Sequence, residues 1–154
     1  MISNMKKFFY LLVLALMPMC FTACGGDDEA SGVSGVTTLY GTWRATHGVA
    51  MENGGLHHDN DISADQAEYL HFGEDGICLV IGGSHGHFYD DGSYSFTFNA
   101  EEKTLKVGYK TFVVEVLSGN TMKLKNVYGQ DSQGRDEYVL VTYKKVSDSV
   151  WEDL

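Results

Sequence analysis

Apolar and polar residues alternate along most of the chain from Tyr40 onward. In the run 93–98, Tyr94, Phe96 and Phe98 fall on one face and Ser93, Ser95 and Thr97 on the other. Leu105 and Val107 oppose Thr104 and Lys106, and Met122 and Leu124 oppose Thr121, Lys123 and Lys125. A period of two, carried by aromatic and β-branched residues, marks half-buried strands. The pattern predicts about eight strands, over 40–49, 67–73, 77–82, 92–98, 104–108, 111–117, 121–128 and 137–146. Asp75-Gly76 and Asp91-Gly92 carry the pair that suits tight hairpins. Short connections fall at 99–103, 108–110 and 118–120, and a longer polar loop at 129–135. Short links between consecutive strands imply an up-and-down antiparallel meander. A long meander with one apolar face closes on itself and loses its edges, so the expected fold is an all-β barrel. The polar segment 51–66 breaks the pattern, and 63–68 reads as a single helical turn. The expected inner face carries Trp43, Phe72, Tyr94, Phe96, Phe98, Phe112, Met122 and Tyr138. So many large groups imply a narrow cavity or none.

The first residues follow another logic. Lys6 and Lys7 precede an apolar run from Phe8 to Met17, and Phe21-Thr22-Ala23 then leads into Cys24. This is the layout of a secretory leader. The apolar run, interrupted by Pro18, is shorter than the roughly 20 residues of a membrane span. Phe21-Thr22-Ala23-Cys24 resembles the lipobox of bacterial lipoproteins, with Phe in place of the commoner Leu. The resemblance implies a signal peptide over 1–23 and a lipid on Cys24. Residues 24–37 then form a flexible tether that opens with Gly25-Gly26-Asp27-Asp28-Glu29. That acidic cluster resembles the export signal of surface lipoproteins in Bacteroidetes. It implies an outer-membrane lipoprotein exposed on the cell surface, the alternative being a periplasm-facing one.

Composition sharpens this picture. Without 1–23 the 154-residue chain keeps 131 residues, all 21 acids and, having lost Lys6 and Lys7, 9 of its 11 basic side chains. This is one domain with a net charge of −12, a surface that repels nucleic acid and anionic lipid. With Cys20 removed and Cys24 lipidated, Cys78 stands alone. No internal disulfide is then available, and Cys78 reads as a small buried hydrophobe.

Leu39-Tyr40-Gly41-Thr42-Trp43 resembles the Gly-x-Trp motif that opens the first strand of lipocalins. The runs YLHFGEDG, YSFTF, LSGNTMKLK and YVLVTYKKV are similar to lipocalin-like domains of Bacteroidetes lipoproteins. The likeness spans 38–146 and leaves 147–154 as a tail in which Trp151 lies on the outside. It implies that Trp43 and Gly41 close one barrel end beneath a basic residue of the last strand. Lys144 or Lys145 would fill that role, Lys144 being the first choice, where the family has arginine. A core aromatic is the other reading of Trp43, and both bury it.

The resemblance implies a non-catalytic binder of a small, largely apolar ligand. A protein partner held on the outer face or the loops is the alternative. Zinc is a third reading: His57, His58, His85, His87 and Asp90 are ligand-type residues in two expected loops. No recognised metal spacing is present. The run from Asp59 to Asp65 starts like a calcium loop but has Ala64 where glycine is required and Leu70 where the bidentate glutamate belongs. No nucleophile elbow or phosphate loop occurs; Gly82-Gly83-Ser84 lacks the lysine. No cofactor and no catalytic group are expected.

Overall fold

The computed structural model describes residues 34–83 and 88–152. The expected leader, Cys24, the tether up to residue 33, His85 and His87 lie outside the described residues. A short helix α1 (Val36–Leu39) precedes nine strands. These are β1 (Gly41–Glu52), β2 (Gly55–Asp61), β3 (Tyr69–Phe72), β4 (Ile77–Ile81), β5 (Gly92–Asn99), β6 (Thr104–Val107), β7 (Lys110–Ser118), β8 (Thr121–Gln130) and β9 (Asp136–Val146). A 3₁₀ turn, Asp148–Glu152, follows.

All pairings are antiparallel, and β1 also pairs with β9. The single sheet therefore closes as a barrel-like ring of eight strands, with β2 outside it on the second half of β1. The alternation read in the sequence decides which side chains enter. Trp43, Leu70, Phe72, Cys78, Val80, Phe96, Leu105, Val107, Phe112, Val114, Met122, Leu124, Val141 and Tyr143 are buried. Phe72 meets Phe96 edge to face with centroids 5.0 Å apart, an arrangement favoured by the ring quadrupoles.

Three expectations change. First, β2 lies within the segment set aside as irregular: its seven residues are all exposed, so no apolar alternation announced it. Second, 63–68 forms no helical turn. Gln66 N–H closes a turn on Ser63 C=O at 3.1 Å, and Ala67 and Glu68 then run extended into β3. Third, Tyr138 faces outward. Val141 and Tyr143 point in, and Tyr138 has the opposite parity on β9. Trp151, half-buried, lies with its ring centroid 5.8 Å from that of His71 and packs against the core.

Candidate functional site

The ring has two ends and one distinctive outer face. At the end where β1 begins, Trp43 is wholly buried and donates its indole N–H to Leu39 C=O at 2.7 Å. The Lys145 ammonium lies 5.2 Å from the Trp43 ring centroid and donates to Thr38 C=O at 3.1 Å. Gly41 makes room for this lysine. Its φ is +106°, and a Cβ there would sit 3.1 Å from Lys145 Cε. Lys144, the first choice from the sequence, has the other parity: its side chain leaves the ring and donates to Thr121 Oγ1 at 2.8 Å. Beside this end, buried Thr42 donates to Asp148 Oδ1 at 2.7 Å and lies 2.8 Å from His71 Nδ1. The threonine proton is committed to the carboxylate, so the imidazole N–H is the donor in the second bond. This network fastens the C-terminal turn to β1 and β3.

The opposite end holds the most unusual group in the core. Glu68 is fully buried. Tyr143 O–H donates to its Oε1 at 2.7 Å, and the Phe88 and Tyr89 backbone N–H groups donate to Oε2 at 2.8 and 3.1 Å. Phe88 and Tyr89 are themselves buried, Phe88 tilted against Phe112 and Tyr89 edge to face with it, at this mouth of the ring. Tyr89 O–H donates to Val107 C=O, and Lys110 Nζ donates to Phe88 C=O while lying 5.0 Å from the Tyr89 ring centroid. Gly83 lets this segment close on 66–68, because a Cβ there would come within 2.2 Å of Gln66 O. The glycine pair seen in the sequence thus serves backbone approach.

Burial raises the Glu68 carboxyl from 4.5 to about 6, against the three donors and Lys110, which favour its charged form. Burial likewise pushes up Cys78 and Tyr143, each further raised by the Glu68 charge. The Cys78 thiol is inert for the same reason. Glu68 has the same parity as Leu70 and Phe72, so the strand pattern would have placed it inside. The expected strand over 67–73 contains Glu68, but its hydrophilic side chain kept it off the expected inner face.

The third feature lies outside the ring. Residues paired across antiparallel strands share a face, and the register lines them up in rows. Leu56, Met51, Tyr138 and Val127 form one row across β2, β1, β9 and β8. Asp59, Val49, Leu140 and Lys125 form the next, which continues to Val113 on β7. Asp61, His47, Thr142 and Lys123 form a third. Leu56 is 59 %, Val113 44 % and Val127 40 % exposed. The acids flank the patch on the β2 side. His47 bridges them, with Nε2 and Nδ1 each 2.9 Å from Asp59 and Asp61. On the β8 side Lys125 rests 4.1 Å from the Tyr138 ring centroid.

The metal candidates are dispersed. His57 and His58 sit on β2, with ring centroids 4.2 Å apart, and not in a loop. Asp90 lies by a surface hollow of ≈ 330 Å³ with Gly82, Gly83, Tyr89 and Asp91. Among the described residues no three His, Cys, Asp or Glu side chains gather as a metal site. A second surface hollow, ≈ 370 Å³, lies over His71, Gly73, Glu74, Asp75, Ile77 and Leu79. Neither a protein-family model nor a curated protein sequence matches this chain.

Proposed function

We propose that this chain is a non-catalytic lipocalin-like barrel, anchored to the outer membrane by lipid on Cys24, that holds a protein partner on its outer face. The observation that carries this reading is the apolar patch of Val49, Met51, Leu56, Val113, Val127, Tyr138 and Leu140 on the outside of the ring. A contiguous apolar patch rimmed by charges is the usual form of a protein-binding surface. Surface exposure of the lipoprotein suits such a role, as does a tether that frees the domain from its anchor. Mass spectrometry of the protein isolated after chemical cross-linking of its own intact cell envelope tests the reading. A bound polypeptide, lost in Leu140→Lys, is expected; the bare chain mass alone would refute it.

A second reading, a small apolar ligand inside the ring, draws support from the Phe88–Tyr89 pair. These two side chains occupy the space at the mouth that a ligand would need, and they are held there by the Glu68 carboxyl, Lys110 and the Val107 carbonyl. Truncating both to alanine should create binding of an apolar fluorescent probe such as anilinonaphthalene sulfonate. No gain in fluorescence over the parent protein would remove this reading.

A further inference from the structure

We infer that the outer face of β2, β1, β9 and β8 binds a second copy of this chain, across a two-fold axis that runs along the seam between β1 and β9. This rests on the reading of that face as a protein-binding surface and names its partner. The order of residues within each row points to it. A two-fold axis parallel to the strands and lying in the contact plane sets β2 of one copy over β8 of the other, and β1 over β9. Such an interface is isologous, so every contact must occur twice.

The rows meet that demand. In the first, Leu56 faces Val127 of the second copy and Met51 faces Tyr138, all apolar. In the second, Val49 faces Leu140, and Asp59 faces Lys125. In the third, His47 faces Thr142, and Asp61 faces Lys123. Acid meets base on both flanks, and apolar meets apolar at the centre. A chain with 21 acidic and 11 basic side chains repels its own copies over most orientations. Over these three rows its acids and bases are sorted onto opposite sides of an apolar strip. The pairing therefore selects one orientation, which is what charge complementarity contributes to an interface.

The patch is small. Strands ~4.8 Å apart and same-face rows ~6.8 Å apart give a footprint of roughly 400 Å² per copy, which is the range of weak, transient pairs. Detection must therefore be covalent. In the full chain expressed in its own cells, Leu140→benzoylphenylalanine places a photo-crosslinker at the centre of the face. The expected product is a band of twice the chain mass that joins position 140 to peptides around Val49. Asp59→Lys and Lys125→Glu should each cut its yield about tenfold, since each sets like charges together twice. Combining them should restore it, because the two charges are then exchanged and attract each other again across the axis. Adducts only with a different protein would overturn the self-pairing and leave the interaction reading standing. No adduct at all would overturn both. A double variant no better than the singles would overturn the proposed orientation.

Discussion

Replacing Glu68 by glutamine should remove a pH dependence that the parent protein owes to one buried carboxyl. Folding takes this group out of water and raises it from 4.5 to about 6. The folded state therefore holds the proton more tightly than the unfolded chain, and stability rises as the pH falls. The penalty is fully present above the folded value and vanishes below the unfolded one. At 1.36 kcal/mol for each pH unit between the two values, it amounts to about 2 kcal/mol. Glutamine has the same shape without the charge. Its carbonyl can accept the Phe88 and Tyr89 N–H groups, and its amide can donate to the Tyr143 oxygen. The assay is urea denaturation of the chain from Ser34 onward, parent against Glu68→Gln, at steps between about pH 7.5 and pH 4. Subtracting the two curves cancels the other carboxylates. The variant should be about 2 kcal/mol more stable near pH 7.5, with the gap closing as the pH approaches 4. A gap that does not change with pH, or one that widens in acid, would refute the reasoning. Glu68→Leu supplies the contrast. It leaves two buried N–H groups without an acceptor and should be destabilising throughout, each orphan costing about 1–3 kcal/mol.

The two neighbouring lysines of β9 should behave differently. Lys145→Met loses the bond to Thr38 C=O and the cation over Trp43, for about 1 kcal/mol, whereas Lys144→Met should stay within about 0.5 kcal/mol. Equal urea midpoints would contradict the assignment of Lys145 to that end. Cys78, completely buried and with its thiol raised by burial, should react with a thiol reagent only when the ring opens. Its labelling in the folded chain should be at least about a thousandfold slower than in denaturant. Rapid labelling in the native state would place it elsewhere.

The ring was legible because its inner face is built from local repetition. Phe96 with Phe98, Leu105 with Val107 and Met122 with Leu124 each fix a strand and its face without any reference to the rest of the chain. Asp75-Gly76 then marks the reversal between β3 and β4, whereas Asp91-Gly92 marks no tight hairpin, since β4 ends at Ile81 and β5 begins only at Gly92. β2 lacked this signal because it buries nothing: Gly55–Asp61 is a strand only because β1 extends beyond the ring and offers it a ladder. Bulges were equally silent. The shift between Val114 and Val116 brings both Val114 and Leu117 inward, where strict alternation would separate them.

The candidate sites divide along the same line. Trp43 and Gly41 could be named from a short motif, but the choice between Lys144 and Lys145 depends on the parity of β9 against β1, which only the register of the closed sheet decides. Glu68 is hydrophilic by composition and interior by position, and its partners are 20 and 75 residues away. The outer patch is assembled from β2, β1, β9 and β8, with none of its rows contained in one segment. Sequence periodicity determined that this chain makes strands and which face of most of them is apolar, because side-chain direction alternates with every residue. Tertiary structure alone decided which strands lie side by side, and with them the aromatic mouth, the buried carboxyl and the charge-sorted face, because these depend on hydrogen-bonded contacts between residues far apart in the chain.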